Sequence, residues 1–118
     1  MPFDALQSAD TDSDLAKLVQ ARDLIRRGWC QNVSKDGDAY CMMGAIAKVT
    51  GNWDGNWSKG QTYRLMCLLG REINPNYCGE GIGTLLACYN DSRVRRKADV
   101  LRIFDKTIAR ISMQDQAR

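Results

Sequence analysis

Histidine is absent from this 118-residue sequence, and that absence removes several kinds of chemistry. Neither catalysis by a histidine base nor a metal site with histidine ligands can exist here. The sequence also has no run of about 18 apolar residues, which excludes a membrane-spanning helix. Its first residues contain neither a basic segment nor an apolar run, so we expect no secretory signal and a cytoplasmic protein.

Closely spaced cysteine pairs are missing as well. The five cysteines stand 11, 26, 11 and 10 residues apart, at Cys30, Cys41, Cys67, Cys78 and Cys88. No C-x-x-C motif of a zinc or redox site occurs, and no phosphate-loop motif is found. An odd number of cysteines without a secretory signal favours free thiols in a reducing compartment. We therefore expect no metal and no cofactor.

A strong excess of one charge is lacking too. The sequence has 17 Lys and Arg against 14 Asp and Glu, and 44% of its residues are hydrophobic. This is the composition of an ordinary globular protein, and the length fits one domain. We predict that the domain covers residues 13–113, with a loose acidic leader at 1–12 and a frayed tail at 114–118.

Apolar residues recur at helical spacing, and no alternating pattern flanked by hairpin turns predicts a strand. The sequence therefore predicts a compact all-α domain of five helices. The predicted helices cover residues 13–27, 39–50, 58–73, 82–89 and 96–113. The helix at 39–50 carries a single charge, that of Lys48, so we expect it to be central and buried on all sides. Asp38 and Ser58 are the predicted N-cap residues of the second and third helices.

Cys41 is the sharpest candidate for catalysis. With Asp38 as N-cap, Cys41 falls at the third helical position, where a helix N-terminus lowers the pKa of a thiol. Its neighbours Tyr40 and Met42 are apolar, which has the opposite effect, and no histidine is present to act as base. We interpret Cys41 as a packing residue and keep a small thiol enzyme, using Cys41 with Asn90 or Asp91, as the alternative.

A basic cluster precedes the last predicted helix, at Arg93, Arg95, Arg96 and Lys97. Such a cluster can contact phosphates or an acidic partner, and cations at a helix N-terminus oppose the helix dipole. A net charge of +3 is low for a nucleic-acid binder, so a solvated face is favoured. Nucleic-acid binding nevertheless stays open as an alternative.

Four short strings give the sequence a family resemblance. They are Gly28-Trp29 with Gln31, Cys41 with Gly44-Ala45, Tyr89-Asn90-Asp91, and Val100 with Phe104-Asp105 and Ile108. In this order and spacing, across residues 15–111, they resemble an uncharacterised family of small bacterial and phage proteins. The resemblance implies a short helical protein and supplies no reaction or ligand.

The shared strings include polar residues that packing alone does not require. Trp29, Gln31, Asn90 and Asp91 all fall in predicted loops, so we nominate them as a shared binding site or as a polar network that locks the loops. We predict a non-catalytic interaction protein, carried by a phage or mobile element, with a protein of a host complex as its partner. The sequence does not predict the oligomeric state.

Overall fold

A computed structural model of the chain describes residues 2–77 and 80–117, with side chains over 14–77 and 80–114. The described ranges hold five helices and one small antiparallel sheet. The elements are α1 (Pro2–Arg27), β1 (Lys35–Asp36), β2 (Ala39–Tyr40), α2 (Met42–Val49), α3 (Gly60–Ile73), α4 (Ile82–Asp91) and α5 (Lys97–Ala117). The predicted all-α single domain of five helices is confirmed.

The apolar helix α2 lies at the centre of the fold, as predicted. It packs against α1, α3 and α4, while α5 packs against α1 and α3. Its side chains from Met42 to Ala47 are buried except for half-buried Met43, and Lys48 is exposed. Across the helices the core is filled by large apolar side chains, among them Leu18, Ile25, Leu65, Leu86 and Phe104. An almost uncharged helix is stable here because its neighbours cover nearly its whole surface.

Both terminal helices extend beyond their predicted limits. α1 begins at Pro2, and α5 continues to Ala117. Pro2 suits a first helical position, and neither proline nor glycine follows it until Gly28. The polar pattern that predicted a loose leader at 1–12 and a frayed tail at 114–118 contains no residue that ends a helix. Met1 and Arg118 lie outside the described residues, and the domain limits at 13 and 113 stay predictions.

The prediction that Asp38 caps the second helix is wrong. Gly37 and Asp38 form the turn of a hairpin in which Lys35 pairs with Tyr40. Gly37 has a φ of 61°, the left-handed conformation that such a turn requires. Strands of two residues are too short to show an alternating apolar pattern. No strand was therefore predicted between the first and second helices.

The predicted Ser58 cap is also wrong, because α3 begins at Gly60 with Lys59 in the N-cap position. The Asn56 side chain accepts hydrogen bonds from the Ser58 backbone N–H, at 2.8 Å, and from the Ser58 hydroxyl. This local turn, closed by Asn56, engages Ser58 before the helix begins.

Ion pairs connect three of the helices. They join Asp14 to Arg64 at 2.8 Å, Arg22 to Asp105 at 3.1 Å, and Glu72 to Arg110 at 2.8 Å. Each pair bridges two different members of the set α1, α3 and α5. In the part of the chain that the structure describes, no helix has both the length and the apolar character needed to cross a membrane.

Candidate functional site

A buried side-chain amide, that of Asn90, joins three segments of the chain. Asn90 is 1% exposed and lies in the last turn of α4. Its Oδ1 accepts hydrogen bonds from Trp29 Nε1 at 2.8 Å and from Met42 N at 3.1 Å. Its Nδ2 donates to Cys30 O at 3.1 Å and to Asp91 Oδ1 at 2.8 Å. All four hydrogen-bonding positions of the amide are therefore used.

Gln31 and Asp91 extend this network. Gln31 Nε2 donates to Asn90 O at 3.0 Å and to Ser92 O at 2.9 Å, so it satisfies carbonyls at the end of α4. Asp91 Oδ1 accepts a hydrogen bond from Asn32 N at 2.9 Å. The structure thus brings together all four of the nominated residues, although they come from two distant parts of the sequence. Asn90 and Asp91 are helical, which corrects their predicted place in a loop.

The loop of residues 28–34 lies directly on the first turn of α2. Ser34 O accepts the N–H of Cys41 at 3.2 Å. A Cβ atom added at Gly44 would lie 2.0 Å from the same carbonyl oxygen. The loop can approach α2 this closely only because Gly44 has no side chain, which gives a physical reason for the Gly44-Ala45 string.

A pocket of about 210 Å³ opens between this loop and α4, and we call it the Asp91 pocket. It is lined by Asn32, Val33, Ser34, Cys41, Met43, Leu86, Ala87, Asn90 and Asp91. Apolar walls with a few converging polar groups are typical of binding sites. Of these lining residues the sequence nominated only Cys41, Asn90 and Asp91. The rest come from three separate segments, so no spacing in the sequence signals them.

A second cavity, of about 390 Å³, adjoins the first, and we call it the Trp57 pocket. It is lined by Met43, Asn56, Trp57, Ser58, Met66, Ile82 and Gly83. Trp57 is held in place by a hydrogen bond from its Nε1 to Asn52 O at 2.7 Å. Met43 lines both cavities, so the two meet at this residue.

Cys41 is the N-cap of α2 and not its third residue, which corrects the predicted position. Its Sγ accepts a hydrogen bond from Gly44 N at 3.3 Å, and the residue is 7% exposed. Burial raises the pKa of the thiol, and the charge of Asp91 raises it further. Backbone N–H groups at the helix start act in the opposite direction without reversing the shift. A raised pKa favours the protonated thiol at neutral pH, which is the opposite of the shift that activates a cysteine nucleophile.

The four described cysteines, Cys30, Cys41, Cys67 and Cys88, are free thiols, and Cys88 is exposed. Cys78 lies outside the described residues. Within the described ranges, no group of three Cys, Asp or Glu side chains is arranged to hold a metal ion.

The basic cluster divides into two parts. Arg95 donates from Nε to Tyr89 O at 2.8 Å, and its guanidinium carbon lies 3.6 Å from the centre of the Tyr89 ring. This cation–π contact fixes Arg95 to α4. Arg93 and Arg96 are exposed, and Lys97 is half-buried in the first turn of α5. Of the four cations, Arg95 is thus engaged within the protein, while Arg93 and Arg96 are exposed.

A family model described as a family of unknown function, DUF6197, matches residues 9–110 of the chain. The match includes all four strings on which the resemblance depends, so the resemblance to an uncharacterised domain family is confirmed. No curated protein and no solved structure matches the chain. This helical chain, with its Asn90 network and its two adjoining pockets, belongs to the DUF6197 family.

Proposed function

We propose that the protein is a non-catalytic binding protein that holds an extended segment of a partner protein across the Asp91 and Trp57 pockets. The observation that carries this proposal is that the two pockets adjoin at Met43. The two pockets lie side by side along one face of α4. An extended peptide fills such pockets with separate side chains, which is a common mode of peptide recognition.

The walls of the Asp91 pocket are already in place before binding. Asn90, Gln31 and Asp91 hold the loop of residues 28–34 against α4 through hydrogen bonds of 2.8 to 3.1 Å. Among the described side chains, no buried nitrogen or oxygen lacks a hydrogen-bond partner. A preformed pocket loses little conformational entropy on binding, so more of the contact energy becomes affinity.

The exposed apolar groups near the pockets favour a protein as partner. Val33 is 51% exposed at the rim of the Asp91 pocket, and Trp53 is 38% exposed beside Trp57. Aromatic and aliphatic side chains at the rim of a cavity are typical of protein interfaces. Nucleic acid is the second candidate, because Arg93 and Arg96 are exposed on the turn after α4. The thiol enzyme has less support, since burial raises the pKa of Cys41.

Selection from a displayed library of short random peptides tests the proposal. Ala87→Phe places a large side chain in the Asp91 pocket, and Thr84→Phe places the same side chain at an exposed position of α4 outside both pockets. We expect the wild type and Thr84→Phe to enrich the same peptides, with affinity reduced on the order of tenfold or more in Ala87→Phe. A wild type that enriches no peptide, or an Ala87→Phe variant that binds equally well, would contradict the proposal.

Nucleic acid is tested in parallel with labelled DNA and RNA duplexes at low salt. We expect no binding that weakens steeply with salt. Binding that does so, and that falls in the Arg93→Ala/Arg96→Ala variant, would favour the nucleic-acid alternative. Arg95 is left unchanged in this test because it holds Tyr89.

The cellular context completes the proposal. We place the protein in the cytoplasm and its gene on a phage or mobile element, with a host macromolecular complex as the source of the partner segment. Genomic neighbourhood checks the second point, since genes of phage structure or regulation should flank the coding sequence.

A further inference from the structure

Among the described residues, only one of the two Asp91 carboxylate oxygens accepts hydrogen bonds. Oδ1 accepts from Asn32 N and from Asn90 Nδ2, at 2.9 and 2.8 Å. Oδ2 accepts no hydrogen bond from any described residue, and Asp91 forms no ion pair within the described ranges. An ionised carboxylate can accept about four hydrogen bonds, so Asp91 has acceptor capacity to spare.

Several N–H donors around the pocket are already engaged within the protein. Asn90 Nδ2 makes two hydrogen bonds, to Cys30 O and to Asp91 Oδ1. The N–H of Cys41 donates to Ser34 O, and the N–H of Gly44 donates to the Cys41 sulfur. A pocket in which these donors are engaged, while its carboxylate has free acceptor capacity, complements a ligand that brings N–H donors.

The electrostatics of the pocket favour a cation. Asp91 lies in the last turn of α4, where the helix dipole is negative. Burial raises the pKa of both the Cys41 and the Cys30 thiol, and the negative charge of Asp91 raises each of them further. Arg95, a half-buried cation four residues after Asp91, is held on the Tyr89 ring.

We infer that the Asp91 pocket receives a lysine or arginine side chain of the partner segment, an inference that rests on the proposed function. The ammonium or guanidinium donates to Asp91 Oδ2, and the apolar stem packs against Met43 and Leu86, which line the pocket. Long cationic side chains commonly bury their methylene stems in this way while the charged head pairs with an acceptor.

Two matched peptide libraries test this inference. They are identical except that the central residue is fixed as Lys or Arg in one and as Gln in the other. We expect the wild type to enrich the cationic library over the Gln library, on the order of tenfold or more. Asp91→Asn should remove this preference, because it deletes the charge while its Oδ1 can still accept from Asn32 and Asn90. Asp54→Asn, at an exposed loop position outside both pockets, is the control for the loss of one negative charge.

The outcomes separate this inference from the proposed function. If the wild type enriches neither library, the proposed function itself fails. If it enriches both libraries equally and Ala87→Phe abolishes binding, the pocket binds a partner segment but the cationic inference is overturned. Retention of the preference in Asp91→Asn also overturns it.

A measurement on the peptide does not depend on the folding of any variant. The central lysine of an enriched peptide is replaced by norleucine, which keeps the stem and removes the charge. We expect the affinity of the wild-type protein, measured by fluorescence anisotropy, to fall on the order of tenfold. Equal affinity for the two peptides would overturn the inference.

Discussion

At the scale of single residues, the Asn90 side chain connects distant parts of the chain through hydrogen bonds to Trp29, Cys30 and Met42. We expect Asn90→Ala to lower the free energy of unfolding by about 3 kcal/mol or more, since it leaves several buried polar groups unpaired. Unfolding in urea, followed by circular dichroism, measures this loss.

Trp29→Phe is the matched comparison for Asn90→Ala. It removes only the hydrogen bond from Trp29 Nε1 to Asn90 Oδ1 and keeps most of the ring. We expect a smaller loss, of about 1 kcal/mol. If Asn90→Ala is no less stable than Trp29→Phe, the network does not stabilise the fold as its geometry indicates.

Cysteine reactivity distinguishes a packed Cys41 from a nucleophile. Because burial raises the pKa of Cys41 while Cys88 is exposed, we expect iodoacetamide to modify Cys88 first and Cys41 only after denaturant is added. Mass spectrometry of timed samples gives the order. Cys88→Ser is the control that isolates the slower thiols. Rapid modification of Cys41 at about pH 6 would instead support the thiol enzyme.

The sequence could predict which polar residues belong to one network more readily than where they lie in the fold. Trp29, Gln31, Asn90 and Asp91 are nominated because packing does not require them. The position of Cys41 could not be predicted, because Asp38 is a preferred N-cap residue type and cysteine is not. The hairpin that places Asp38 in a turn decides between them, and it depends on the pairing of Lys35 with Tyr40.

At the scale of elements, two helical glycines have opposite environments. A Cβ at Gly44 would collide with Ser34 O, while a Cβ at Gly83 would meet Met43 Sδ at an ordinary 3.9 Å. We expect Gly44→Ala to destabilise the protein by about 1–3 kcal/mol, because the loop of residues 28–34 must move away from α2. Thermal unfolding compares the two variants.

Gly83→Ala is the internal control for helix propensity. Alanine in the first turn of α4 gains up to about 1 kcal/mol and creates no clash, so this variant should be as stable as the wild type or more stable. If Gly44→Ala is no less stable than Gly83→Ala, the contact with Ser34 O does not limit the residue at position 44, and the prediction is wrong.

Helix limits were predicted well where a single residue stops the helix and poorly where tertiary contacts decide. The predicted ends at residues 27 and 73, which lie just before Gly28 and Pro75, are the observed ends of α1 and α3. The start of α3 was misplaced because Asn56 engages Ser58. Residue propensities do not show whether Ser58 bonds to the Asn56 side chain or caps the helix.

At the scale of the whole molecule, the pair of Asp14 and Arg64 joins α1 to α3. Burial alone would raise the pKa of Asp14, but hydrogen bonds from Arg64 and Gln61 outweigh it and hold the pKa below its ordinary value. A lowered folded-state pKa means that the pair stabilises the fold at neutral pH and loses this effect as the pH falls through the folded-state value.

Asp14→Asn should therefore be less stable than the wild type at neutral pH, by about 0.5–1 kcal/mol after solvent screening is considered. The difference should shrink as the pH falls below about 4, where the unfolded-state carboxyl is protonated. Urea unfolding over a range of pH measures it, with Asp54→Asn as the control for charge. A constant difference at all pH values would contradict the assignment.

The overall architecture could be predicted because it depends mainly on the periodic apolar pattern. The pockets could not, since the Asp91 pocket needs Ser34, Met43 and Leu86 to meet from three segments. Their meeting depends on how closely the loop approaches α2, and that distance depends on the missing side chain of Gly44.

The network also has a consequence for the order of folding. Its hydrogen bonds between Asn90 or Asp91 and the earlier chain connect residues 48 to 61 positions apart. Contacts of such separation form late, because a long stretch of chain must first be closed into a loop. In a refolding experiment with pulsed hydrogen exchange, the amide protons of Asn32 and Met42 should therefore gain protection only when α4 docks. Protection of these two amide protons therefore reports when the Asp91 pocket forms during folding.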